Sequence, residues 1–303
     1  MNTVHSKLAP VILFAYSRPE HTRLTVQGLL SNPEAAQTDL VVYSDAPARE
    51  AAAPAVREVR AYLRTIEGFH SVTVIEQPSN LGLARSIIAG VSEQLAIHGC
   101  AIVMEDDLVV SPYFLSYMNE GLRRYADDER VASIHGYSYP AAGELPEAFF
   151  LRGADCWGWA TWSRAWRHFQ PDGRVLATQL EQQGLVRQFD LDGKYPYFRM
   201  LRQQIAGKVD SWAIRWHASA YLANMLTLYP GRSHVVNIGA DGSGTHCKTS
   251  VSLGDELASK PTSWSDFPVQ EDTGARAAVG NYLRQLRRRL WLGRLRRLLK
   301  LPT

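Results

Sequence analysis

Three consecutive acids, Glu105, Asp106 and Asp107, end the apolar run CAIVM at residues 100–104. Carboxylates held that close repel one another, and partial burial raises the cost. A divalent cation removes the conflict. Mn2+ or Mg2+ takes oxygen ligands and commonly bridges one or two carboxylates to substrate phosphates. The same residues also read as a solvated acidic turn, with Asp107 or Ser111 capping a helix that starts near 111–112. Position favours the cation, because the triplet falls where other chemistry-bearing residues converge.

The elements that set this position alternate from residue 10 onward. VILFAYS follows Pro10 as a buried strand, and helical spacing runs from Pro19 to about Leu30, with Ser17 or Pro19 at its start. DLVVYSDAP is a second strand, residues 49–66 a helix, SVTVIEQ a third strand, Gly82 to His98 a helix, and CAIVMEDD a fourth strand. Strand–helix alternation predicts an α/β fold with a mostly parallel, Rossmann-like sheet and helices on both faces. Ligands in such folds sit outside the carboxyl ends of the strands. Those ends carry Ser17 and Arg18, Asp45, Asn80 to Gly82, and the acidic triplet.

MEDDLVVSPYFL resembles the acidic motif of glycosyltransferases with the GT-A fold. Its E-D-D form, followed by Ser-Pro and an aromatic, is similar to the inverting N-acetylglucosaminyltransferase that begins complex N-glycans and its bacterial relatives. The resemblance implies that Asp107 binds the metal, Mn2+ or Mg2+, on the donor diphosphate. It implies that Asp106 and Glu105 hold sugar or ribose hydroxyls. FAYSRPE resembles the family's first-strand turn beside the nucleotide, placing Ser17 and Arg18 there. Asp45, in VVYSDAP, stands where the family often has an acid accepting from uracil. NLGLARSI resembles a segment in which Arg85 would neutralise the diphosphate, since a guanidinium pairs well with phosphate oxygens. Taken singly, these positions read equally well as a turn Asp and an Arg on a solvated helix face.

Beyond Pro140 the chain is aromatic-dense. GADCWGWATWSRAW resembles the family segment that shapes the sugar pocket, and flat indoles stack on sugar rings while their N–H meets a hydroxyl. Trp157 and Trp159 are expected near the sugar, whereas Trp162 and Trp166, four apart, pack on one helix face. An inverting transfer needs a base within hydrogen-bond reach of the acceptor hydroxyl. KVDSWAIRW resembles the family segment carrying that base, which makes Asp210 the first candidate and Asp155 the second. Asp210 also reads as the N-cap of a helix from Trp212 to about Leu226. Asp190 and Asp192 read as loop acids and His135 as structural. In the Gly-rich NIGADGSGTHC, His246 fits a late metal ligand and equally a loop histidine.

The resemblance covers residues 9–250. The expected organisation is a nucleotide-sugar half at 9–140, an acceptor half of the same domain at 141–252, a linker at 253–275 and a basic amphipathic tail at 276–303. Of 33 Lys and Arg, nine lie between Arg276 and Lys300, a stretch without Asp or Glu, so the remainder carries a net charge of −6. Leu283, Leu286 and Leu290 share one face of that tail, and Trp291, Leu295, Leu298 and Leu299 another. An Arg-rich helix with Leu and Trp suits an anionic membrane surface; packing on the acidic body or RNA binding are the alternatives. No nucleic acid is expected. The three cysteines fit no zinc or redox spacing, and no apolar run reaches the length of a membrane span. The start has no signal-peptide core. A cytoplasmic protein, peripheral on the inner membrane face, is therefore expected. Its partners would be a nucleotide-sugar donor, UDP-linked and UDP-N-acetylglucosamine as the resemblance implies, and a saccharide or lipid-linked glycan acceptor. A nucleotidyltransferase would need a G-x-G-T-R loop, which FAYSRPE lacks. A catalytically silent carbohydrate-binding scaffold would not need the acidic triplet.

Overall fold

The computed structural model describes residues 8–141, 143–239 and 256–298, with side chains as far as residue 292. The first half follows the alternation. Strand β1 (Val11–Ala15) leads into helix α1 (Pro19–Leu30), then β2 (Asp39–Ser44), α2 (Ala53–Leu63), β3 (Ser71–Glu76), α3 (Leu83–His98) and β4 (Cys100–Glu105). The second half runs β5 (Leu108–Val110), α4 (Phe114–Arg124), β6 (Val131–His135), β7 (Ala148–Arg152) and β8 (Trp159–Trp162). Helices α5 (Ser163–Trp166), α6 (Gly173–Gln182), α7 (Val186–Phe189), α8 (Tyr197–Ile205) and α9 (Trp212–Leu222) follow. The described chain ends with β9 (Leu226–Pro230), β10 (Val235–Asn237) and α10 (Thr273–Leu298).

Eight strands form one sheet in the order β3-β2-β1-β4-β8-β6-β9-β7. Strands β3, β2, β1 and β4 are parallel, β6 and β9 run with them, and β8 and β7 run against them. This is the expected α/β class with a mostly parallel sheet. Right-handed crossovers to successive strands on one side and then back to β4 put α1 and α2 on one face and α3 on the other. Central strands flanked by helices must be apolar throughout: every residue of β1 is buried. Each such Leu, Ile, Val or Phe contributes about 1.5–3 kcal/mol of burial.

A second, two-stranded sheet pairs β5 with β10, with Val235 opposite Val110 and Asn237 opposite Leu108. This ribbon lays residues 237–239 along the acidic turn. A smaller core forms where α6, α8 and α9 meet, around Leu180, Phe189, Leu201 and Tyr221.

The expected linker and tail differ from the structure. Trp264 stacks on Tyr117 at 5.4 Å, Phe267 and Val269 pack on the main core, and Ala258 is buried. The first turns of α10 are docked as well: Ala275, Val279 and Leu283 are buried against Phe149, Leu151 and Tyr229. Arg276 pairs with Asp192 and, at 3.5 Å, with Glu271. Burying this apolar face outweighs keeping the helix in solvent. Farther out, Trp291 (61% exposed) and Leu292 (48%) remain on the surface. No described helix is long and apolar enough to cross a membrane.

Candidate active site

The carboxyl ends of β1 and β4 are adjacent, so the turn at 16–18 and the triplet at 105–107 face each other. Asp106 is buried; its Oδ2 accepts from Tyr16 N at 3.1 Å and its Oδ1 from Arg18 Nη2 at 2.7 Å. The same Arg18 Nη2 donates to Asp107 Oδ2 at 3.0 Å. Arg18 is thus the bridge between two carboxylates. Burial works against its charge, but Asp106 and Asp107 overcome that and raise its pKa. Its Nη1 is buried and finds no hydrogen-bond partner among the described residues. Ser17 sits half-buried in the same turn.

One guanidinium does not balance three carboxyls. The Glu105 carboxyl is pushed up to about 8, by burial first and then by Asp107 and Asp106, against the pull of Arg18. Burial also raises Asp106, with Arg18 opposing. The crowding argued from sequence is therefore present, and part of it is answered inside the protein by Arg18. Among the described residues no three His, Cys, Asp or Glu side chains form a ready-made metal cage. The donors are hard oxygens in an electronegative turn, which fits Mn2+ or Mg2+ held by one or two carboxylates and completed by phosphate and water.

The ribbon closes over this turn. Ile238 N donates to Asp107 O at 2.9 Å, and a Cβ on Gly239 would collide with Asp107 Oδ2 and lie 2.9 Å from Arg18 Nη1. Only glycine fits that approach. His246, the expected late metal ligand, lies outside the described residues.

Asp45 stands at the end of β2 but takes another role. Its Oδ1 accepts from Ala46 N and Leu81 N, each at 2.9 Å, and its Oδ2 from Asn80 Nδ2 at 3.0 Å and Gly82 N at 2.9 Å. Four donors saturate the carboxylate. It holds the turn leading into α3 and has no lone pair left for a base ring. Arg85 lies exposed in the first turn of α3.

A second cavity, of about 240 Å³, lies on the β6–β8 side. Asp155 is in its wall, and its Oδ2 accepts from Tyr139 OH and, at 3.3 Å, from Tyr229 OH. Burial first and the Asp155 charge second hold both phenols well above their ordinary pKa, so both stay donors. Tyr137, Tyr195 and Tyr197 share the lining, with His135 and His217. Burial pushes the His135 imidazole down to about 4, and its Nε2 accepts from Trp157 N at 3.1 Å. Burial raises the Cys156 thiol well above its ordinary range, and the carboxylates of Asp155, Glu105 and Asp107 add to it. The antiparallel β4–β8 register, with Val103 opposite Trp159, brings residues 155–157 to the same end of the sheet as the acidic turn. Gly153, at φ +99°, lets the chain pass His217, whose Cε1 would lie 2.5 Å from a Cβ there.

The two tryptophans expected near sugar part company. Trp157 lines the cavity, edge-on to Tyr137 at 4.8 Å. Trp159 is a core residue, 1% exposed, among Trp166, Trp212 and Trp216 at 5.5–6.1 Å. Inside a strand paired on both sides, its side chain points into the sheet–helix layer. Asp210 is not in the cavity wall; it is 68% exposed and 3.6 Å from Arg215 Nη2. Nor does it cap α9: Ser211 Oγ accepts from Ile214 N at 3.3 Å. The tyrosine cluster went unread in the sequence, although GYSYP and KYPYF alternate Tyr with small residues or Pro in two separate loops.

No family model matches the chain, and no curated protein matches it. Among solved structures, the mannosyltransferase PcManGT from Pyrobaculum calidifontis, in complex with GDP-Man and Mn2+, is 13% identical. The match covers 43% of this chain and 35% of that one, at a TM-score of 0.31. S. aureus TarS is 12% identical over 48% of this chain and 24% of its own, at 0.32. The chain thus spans about a third of the one and a quarter of the other. The functional reading rests on the site itself.

Proposed function

We propose that the chain is a glycosyltransferase of the GT-A kind that moves a sugar from a nucleotide-diphospho-sugar to a saccharide or glycan acceptor. The observation that carries this is the pairing of two unlike sites. An electronegative turn bridged by Arg18 lies at the same end of the sheet as a tyrosine-lined cavity containing a carboxylate. A diphosphate with its cation suits the first, and sugar rings suit aromatic walls in the second.

Asp107, with Asp106 behind it, would hold Mn2+ or Mg2+. When bound, the ion supplies positive charge for the leaving diphosphate. The exposed Arg85 adds a guanidinium donor for phosphate oxygens. Glu105, with its raised pKa, suits a hydroxyl of the donor sugar or ribose. The acceptor oxygen attacks the anomeric carbon, the bond to the diphosphate breaks, and configuration inverts. Asp155 takes the acceptor proton, and Tyr139 and Tyr229 hold the carboxylate in place through its Oδ2. This moves the base from Asp210, which the resemblance favoured, to the carboxylate that lines the cavity. The basis for an anionic membrane surface narrows to the outer turns of α10, where Arg287 to Arg289, Trp291 and Leu292 are exposed.

The test is release of nucleoside diphosphate from a panel of nucleotide sugars with Mn2+ or Mg2+ and mixed glycoside acceptors. Asp155→Asn is expected to lose at least 100-fold in kcat with donor affinity kept, while Asp210→Asn stays near wild type. The opposite ranking would return the base to Asp210. No release from any donor by the wild-type protein would remove the transferase reading.

A further inference from the structure

The carboxyl-terminal helix is a wall of the tyrosine cavity. Tyr282, Leu283 and Leu286 of α10 line it, together with Met200 and Ile214. The helix reaches this place because Ala275, Val279 and Leu283 are buried against β7 and Tyr229. Tyr229 is also the phenol 3.3 Å from Asp155 Oδ2, so one ring joins the helix dock to the carboxylate. The lining is of two chemical kinds. Phenols and imidazoles accompany Asp155, with Tyr282 of α10 at 6.2 Å from Tyr139, and suit hydroxyls. Leu283 and Leu286 of α10, with Met200 of α8 and Ile214 of α9, are apolar. At about 240 Å³ it is below the usual size of ligand pockets, roughly 300–1,000 Å³, and holds one ring with a short substituent rather than an oligosaccharide.

We infer that α10 selects the acceptor: the cavity takes a monosaccharide unit carrying an apolar aglycone, with the sugar at Asp155 and the apolar group against Leu283 and Leu286. A hydroxyl-bearing extension in that place would lose its hydration without gaining partners. An apolar one gains burial, and Leu286, half-buried on the cavity side, is the residue that sets the room available. This rests on the transferase reading for the word acceptor, but the selectivity itself is measurable without turnover.

The experiment uses the full chain and matched methyl and benzyl glycosides of glucose, galactose, mannose and N-acetylglucosamine as probes, titrated at equilibrium and followed by melting temperature. Nucleotide sugars with Mn2+ are titrated in parallel. For at least one sugar, wild type should bind the benzyl glycoside at least tenfold more tightly than the methyl glycoside. Leu286→Ser should reduce that ratio toward one, and Leu286→Phe, which keeps the helix apolar but fills the space, should exclude the benzyl probe. Nucleotide-sugar affinity should hold in both variants, which also shows that they fold. Equal binding of the two probes by wild type, or an unchanged ratio in both variants, would overturn the inference. Loss of nucleotide-sugar binding in wild type with the benzyl preference intact would instead overturn the transferase reading alone.

Discussion

Arg18 shows how one residue changes the meaning of three others. Read from sequence, Glu105, Asp106 and Asp107 require an outside cation; in the fold, Arg18 already neutralises part of their charge. Removing it leaves two adjacent carboxylates without this counter-charge, and breaking a buried pair from one side costs about 3–5 kcal/mol. Arg18→Ala is therefore expected to lower the melting temperature by several degrees, with Mn2+ recovering part of the loss in the variant. An unchanged melting temperature would mean that the ion pairs contribute nothing. The acidic triplet was legible because three acids ending an apolar strand are rare and need a reason. For Asp45 and Trp159 the sequence carries residue type and position but not the local partners that occupy them. No pattern in the sequence states that four donors will meet one carboxylate, or that an indole next to a glycine turn faces the core.

At the level of elements, the periodic segments were readable nearly to the residue. Pro19–Leu30, Asp39–Ser44, Ser71–Glu76 and Leu83–His98 fall within a residue or a few of the expected bounds, because period and turn residues agree there. The start of α9 was readable only as a choice between neighbours. Ser211, not Asp210, accepts from the open turn. Ser211→Ala is expected to cost about 1 kcal/mol of stability in denaturant unfolding. Asp210→Ala, which loses a 3.6 Å ion pair to Arg215 at a 68%-exposed side chain, should stay within about 0.5 kcal/mol. Equal losses would place the cap on both residues. The docking of α10 was not legible, since Leu and Arg at helical spacing read the same on a membrane, in solvent or on a sheet. What decides is Ala275 and Val279, two small residues whose partners on β7 lie over 120 residues earlier in the chain.

For the whole molecule, buried imidazoles link stability to pH. His234 lies between Ser111 Oγ at 2.8 Å and Thr262 Oγ1 at 2.9 Å, tying α4's approach to the segment before α10, and burial pushes it down to about 4. His135 is pushed down equally. Both folded values lie below the ordinary 6.5, so the unfolded chain binds these protons first as pH falls. The stability these two rings contribute is then full above about pH 6.5 and is lost progressively down to about 4, by up to roughly 3 kcal/mol for each histidine. Glu105, raised to about 8, works the other way, its contribution being lost as pH rises. Denaturant midpoints should fall between about pH 6.5 and 4.5, where the two histidines outweigh Glu105, and His234→Gln should flatten that limb. A flat wild-type profile would contradict the burial of these rings.

The central claim is that the turn formed by residues 16–18 and 105–107 binds the diphosphate of a nucleotide sugar. Its most direct test is a calorimetric titration of wild type and Asp107→Ala with a panel of nucleotide-diphospho-sugars, each with and without Mn2+. Binding of at least one donor is expected, stronger with the ion and at least tenfold weaker in the variant, whose unfolding transition remains cooperative. Equal donor affinity in the two proteins, or no affinity in wild type for any donor, would contradict it.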